Sequence, residues 1–268
     1  MPLYKDEGLV LRTVKLGEAD RIITILTRDH GKIRAVAKGV RRLKSRFGAR
    51  LEPFMRADLL IATGRSLDVV SQASSKGMYA DRIITDYDSY INAGMVVETA
   101  DRLFSALDEP SPRQYLLAVG AISALARHLH APGDIGESYM LRALALAGWR
   151  PRLDACVVCG ETEGLCAFSV PGGGAMCGKD RTPEARRVTA SQLARLRALL
   201  AGDWDALNAA VRARGEAGGD VAAADVGVVD VRMSAGGESH AAAVHAIVEE
   251  WAEYYLERPI RSAHLLDS

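Results

Sequence analysis

GKIRAVAKGVRRLKSRFGAR, residues Gly31 to Arg50, joins an alternating strand to a loop, and the whole stretch carries eight basic residues and no acidic one. Successive side chains of a strand point to opposite faces, so Ile33, Ala35 and Ala37 fall on one side and Arg34, Val36 and Lys38 on the other. Upstream, Leu9, Leu11 and Val14, then Ile22, Ile23, Ile25 and Leu26, make two further strand patterns, divided by Gly17 and the His30-Gly31 turn signal. After Val40 the alternation dissolves, and RRLKSRFGAR reads as a mobile basic loop. Strand-like runs follow around Leu51 to Phe54, Asp58 to Ala62 and Leu67 to Ala73, enough for the five strands of a small barrel. Five short strands in so little chain predict a small antiparallel barrel, and the OB-fold is one whose face binds single strands.

The charge supports a polyanionic partner. The chain has 34 Lys+Arg and 34 Asp+Glu; taking out the eight cations of Gly31 to Arg50 leaves 26 basic residues against 34 acidic, about −8. A basic run is most often a solvated face. Here Arg34 and Lys38 leave the sheet in one direction beside Lys32, Arg41, Arg42, Lys44 and Arg46, the surface a phosphate backbone needs to shed its counterions. Lys15 and Arg21 extend the candidate set, and Phe47 or Phe54 is either a base-stacking ring or core.

Leu16 to Phe54, LGEADRIITILTRDHGKIRAVAKGVRRLKSRFGARLEPF, closely resembles the N-terminal signature of the RecO family of bacterial recombination mediators. Tyr139 to Gly160, YMLRALALAGWRPRLDACVVCG, resembles the same family, as does the terminal WAEYYLERPIRSAHLL. The resemblance implies an N-terminal DNA-binding OB-fold and a helical domain with a zinc-finger-like Cys cluster. It implies RecR and single-stranded DNA-binding protein as partners, and delivery of the RecA recombinase. It also places Arg142 where the acidic tail of single-stranded DNA-binding protein docks; from the residues alone, Arg142 is a boundary side chain whose stem packs and whose head reaches water.

Beyond Ala80 the period becomes helical. Ile83, Ile84, Tyr87, Ile91, Met95 and Val96, and then Leu116, Leu117, Val119, Ile122 and Leu125, fall at helical spacing. Breaks at 109–112 and 131–133 predict three helices up to Gly148, the third over Ile135 to Trp149. Thr189 to Ala201 and Ser239 to Leu256 are further helices, separated by a Gly-, Ala- and Asp-rich insertion over 215–238. Asp220, Asp225 and Asp230 within it fit no calcium loop. The fold class is therefore α+β: an OB-fold domain over 1–79, then a helical domain over 80–268 that carries a Cys-rich segment, 154–181.

All four cysteines lie in that segment: Cys156, Cys159, Cys166 and Cys177. Cys-x-x-Cys converges two thiolates on one ion, and tetrahedral zinc needs four ligands. The second half reads Cys177-Gly-Lys-Asp180, with Asp where zinc-bearing members of the family have Cys. Either Asp180 or Cys166 is the fourth ligand, and a metal-free hairpin with buried thiols is the alternative.

The N-terminus, MPLYKDEGLV, has charges where a signal peptide needs an apolar core, and no run approaches the ~20 apolar residues of a membrane span, so a cytoplasmic, nucleoid-associated protein is expected. No P-loop, HExxH or Gly-x-Ser-x-Gly pattern occurs, and the six His residues are scattered. A non-enzymatic protein that binds and anneals single-stranded, possibly double-stranded, DNA follows. A zinc-dependent nuclease and an RNA-binding OB protein are the alternatives.

Overall fold

The computed structural model describes residues 2–106, 109–209, 240–257, 260 and 262. Five strands, β1 (Leu3–Leu16), β2 (Asp20–Thr27), β3 (Lys32–Ala37), β4 (Arg56–Ala62) and β5 (Asp68–Gly77), close a barrel in the order β1-β2-β3-β5-β4. All neighbours are antiparallel except β3 and β5. The OB-like barrel read from the alternation is thus present. β1 is long because its halves do different work: Gly8–Leu16 pairs with β2 and Leu3–Leu9 with β4. At the crossover only glycine fits, since a Cβ on Gly8 would lie 2.4 Å from Ile25 Cγ2 and 2.9 Å from Leu59 Cδ1.

The inward residues include Val10, Ile23, Ile25, Ala35, Ala37, Leu59, Ile61 and Val70, with Phe47 and Leu51 packed in the same core. Small Ala35 and Ala37 leave room for that ring. Two sequence expectations change here. Leu51 to Phe54 is not a strand: Gly48–Leu51 is a 3-10 turn, and Phe54 sits in the left-handed region (φ 69°) with its N–H on Val10 O. The basic loop is not free either. Gly39 N–H donates to Asp20 Oδ1 at 2.7 Å and Arg41 N–H to Ala19 O at 3.0 Å, which pins the loop to the β1–β2 turn.

Four helices follow: α1 (Ala80–Ile83), α2 (Tyr87–Ala106), α3 (Pro112–Ala126) and α4 (Pro132–Leu146). Pro at the first turn opens α3 and α4, and the Ser111 hydroxyl caps α3 by accepting from Gln114 N–H. Tyr115, Ile122, Leu125, Tyr139, Met140 and Leu144 are buried in this bundle. The barrel and these helices form one compact unit, residues 1–150 with 252–268, so the change from strand to helix near residue 80 does not divide the packing.

The second compact unit is residues 151–251. It contains a sheet in the order β7-β6-β8, made of β6 (Leu165–Ser169), β7 (Gly174–Cys177) and β8 (Arg186–Arg187). Helix α5 (Ala190–Ala201) starts in a Thr189/Gln192 capping box and stops at left-handed Gly202. The last helix is His240–Leu256, and the insertion over 215–238, with its three Asp residues, lies outside the described residues. Among the described residues no helix is long and apolar enough to cross a membrane.

Candidate nucleic-acid interface and candidate metal centre

Register determines which cations share a surface. Arg12, Thr24 and Arg34 stand opposite one another on β1, β2 and β3, and Val14, Ile22, Val36 and Val69 form the next row on the same outer face. At a strand spacing near 4.8 Å, the Cα atoms of Arg12 and Arg34 lie about 10 Å apart. Arg34 is exposed on that face, Lys38 is exposed in the turn just past the end of β3, and neither makes an ion pair among the described residues. Beyond Lys38, exposed Arg41, Arg42, Lys44 and Arg46 continue the basic surface. The Arg41 guanidinium donates to Glu18 O at 2.9 Å, and that of Arg46 lies 4.8 Å from the Phe47 ring centre.

Other candidate cations are committed within the fold. Arg21 holds Glu52 through both carboxylate oxygens at 2.6 and 2.7 Å. Lys32 Nζ lies 3.1 Å from Asp101 Oδ1 and also donates to Ser105 Oγ. Lys15 is exposed but pairs with Arg21 in register, at the opposite parity from Arg34. Phe47 and Phe54 are both buried, so the ring left open by the sequence resolves to core in each case. Arg142 is half-buried on α4 with no ion pair among the described residues.

A groove of about 900 Å³ runs between this face and α2, and sequence reasoning missed it. Its lining includes Arg12, Thr24, Arg34, Phe54, Tyr90 and Asp101. The available signals were Arg12, two residues before Val14 on the same face, and Tyr90 on the polar side of a helical pattern. Neither discloses that helix and barrel meet.

In the second unit, the ligand atoms of Cys156, Cys159, Cys177 and Asp180 all lie within 4.8 Å of one another. The first knuckle is built by Gly160 N–H donating to Cys156 O and Cys156 N–H to Glu161 O; β7 delivers Cys177 and the following turn Asp180. Sulfurs around a tetrahedral ion with ~2.3 Å bonds stand about 3.8 Å apart. Cys159 and Cys177 Sγ are separated by 3.8 Å, and Asp180 Oδ2 lies 3.3 Å from the Sγ atoms of Cys156 and Cys177. The donor set thus fits one metal ion. Cys166 is outside it, so of the two candidates for the fourth position the cluster contains Asp180.

Electrostatics bind the four groups together. Hydrogen bonds from the Cys159, Cys156 and Cys177 thiols hold the Asp180 carboxyl below its ordinary range, and the same carboxylate pushes the Cys159 thiol up to about 12. Burial opposes ionisation of Cys156, but the amides of Cys159, Cys177 and Val158 outweigh it and lower that thiol.

The sequence matches two family models, "Recombination protein O N terminal" over residues 1–79 and "Recombination protein O C terminal" over residues 84–218. The chain belongs to the RecO family. It is similar to "DNA repair protein RecO" of Bifidobacterium adolescentis, 56% identical over 270 residues and the full length of both chains. It is 54% identical to that of Bifidobacterium longum over the full length of both. The RecO of Thermobifida fusca is 45% identical over 83% of this chain and 92% of its own. The RecO signature therefore covers the barrel, the helices and the Cys cluster alike.

Proposed function

We propose that this chain is a DNA repair mediator that binds single-stranded DNA on the outer barrel face and anneals complementary strands without hydrolysing nucleotide. The observation that carries the reading is the run of exposed cations Arg34, Lys38, Arg42 and Lys44, unpaired among the described residues, on a barrel of the OB type. Such cations neutralise phosphates without reading bases. Two strands held on one positive surface repel each other less, and pairing is then downhill. The membership of the RecO family supports the repair role and suggests RecR and single-stranded DNA-binding protein as partners, with RecA loaded as the consequence. Arg142 on α4 is the candidate contact for a partner that ends in a carboxylate.

Zinc is the metal the Cys156, Cys159, Cys177 and Asp180 donor set suits best, and its role is structural. It would tie the knuckle to β7, and three thiolates with one carboxylate complete a four-coordinate shell, against the open position a nuclease needs. A cytoplasmic location accords with reduced thiols; all four cysteines are free.

The test is binding and annealing by the full chain from about 50 to 200 mM salt, compared with the Arg34→Glu/Lys38→Glu double variant. Loss of two phosphate contacts should reduce the single-strand salt slope by about 1.4, alike for all sequences. Unchanged binding by the double variant, or strand scission on adding metal, would refute the reading.

A further inference from the structure

We propose that the groove between β1–β3 and α2 is a subsite for one unpaired base of a nucleic-acid strand, stacked on Tyr90, with the flanking phosphates on Arg12 and Arg34. This deepens the DNA-binding reading and rests on it. α2 turns one stripe toward the barrel, since Tyr90, Gly94, Val97 and Asp101 recur at helical spacing and all line the groove. Within that stripe Tyr90 is 48% exposed. A large aromatic side chain left open to water in a groove lined by the cations Arg12, Lys32, Arg34 and Arg102 against Glu98 and Asp101 is the core of a stacking platform.

Tyr90 is braced from behind. The buried Phe54 ring stands at 89° to it with centroids 6.0 Å apart, and Phe54 is held there by its left-handed backbone after Pro53. Asp101 binds Lys32 at 3.1 Å and reaches Arg12 only at 3.8 Å. The Arg12 side chain is 59% exposed, so a phosphate can recruit it without breaking a short ion pair. Arg34 completes the row. The cavity volume lies in the ~300–1,000 Å³ range of small-ligand sites, enough for one nucleotide. A base inside a duplex has both faces stacked and offers Tyr90 nothing, so the subsite selects single strands.

The experiment compares Tyr90→Ala, Tyr90→Phe and the Arg34→Glu/Lys38→Glu variant, binding a mixed-sequence single strand and the matching duplex. It adds Tyr90→Trp, whose indole fluorescence change beyond that of the three native Trp residues in the unsubstituted chain reports stacking. Tyr90→Ala should weaken single-strand binding about tenfold, with duplex binding within twofold of the unsubstituted chain. Tyr90→Phe should retain single-strand affinity, and the indole of Tyr90→Trp should be quenched by the single strand. Full single-strand affinity in Tyr90→Ala, or an equal loss on single strand and duplex, overturns the subsite. If the charge-reversed variant still loses affinity in that case, the DNA-binding reading stands without it; if that variant also binds normally, both fall.

Discussion

Glu7→Gln should remove about 3 kcal/mol of stability at neutral pH. Glu7 sits on β1 with its side chain only 10% exposed, where the Tyr115 hydroxyl donates to Oε1 at 2.6 Å, Arg56 Nε donates to the same oxygen at 2.6 Å, and Lys76 Nζ meets Oε2 at 2.5 Å. Burial alone would raise the carboxyl, but the hydrogen bonds from Lys76, Tyr115 and Arg56 outweigh it and hold the group at about 2 instead of its ordinary 4.5. That difference corresponds to roughly 3 kcal/mol. Because the folded value is depressed, the stabilisation is complete above the unfolded value and is lost as pH falls through about 2. At pH 3 linkage leaves about 1.4 kcal/mol of it. Urea titrations of the full chain at pH 7 and pH 3, followed by circular dichroism, should show the gap between Glu7→Gln and the unsubstituted protein shrink in that proportion. At pH 7 the melting temperature should fall by about 6–12 °C. A gap under ~0.5 kcal/mol at pH 7, or one equal at both pH values, would refute the reasoning, since the charge would then contribute nothing that protonation can remove.

Asp180→Ala deletes one donor of the metal centre and should weaken retention of zinc by more than the ~10- to 100-fold that loss of an outer partner costs, while Asp180→Cys should tighten it. Competition against a chromophoric chelator measures both. Gly174→Ala should destabilise the second unit by more than ~1 kcal/mol, because φ there is 150° and a Cβ would fall 2.1 Å from Arg152 O. β7, which carries Cys177, would have to shift, so zinc affinity should fall with it; a normal chelator titration for this variant would contradict that coupling.

Period and composition reveal what is local. Alternation in IRAVAK put Ala35 and Ala37 on one face and Arg34 and Lys38 on the other; the first pair is buried and the second exposed, because a strand's two-residue repeat requires no knowledge of its neighbours. The run from Leu51 to Phe54 misled for the complementary reason. Leu51 ends a 3-10 turn that packs in the barrel core and Phe54 is buried beyond it against Tyr90, and burial by a turn leaves the same hydrophobic residues as burial by a strand. The Cys-x-x-Cys pair was equally legible, since the first knuckle is made within a few residues. Whether Asp180 or Cys166 belonged with it depended on the path of β7.

The sequence by itself determined the barrel, its basic surface, the helical remainder and the presence of a Cys cluster, since each is written in contiguous residues with a characteristic spacing. Only the tertiary structure decided how the cations divide. Arg21 and Lys32 are consumed by Glu52 and Asp101, 31 and 69 residues away, and Arg34 and Lys38 are left free among the described residues. It also made one groove from Arg12, Arg34 and Tyr90. A charge's partner is set by distance in space, and spatial neighbours so far apart in the chain leave no mark on local periodicity.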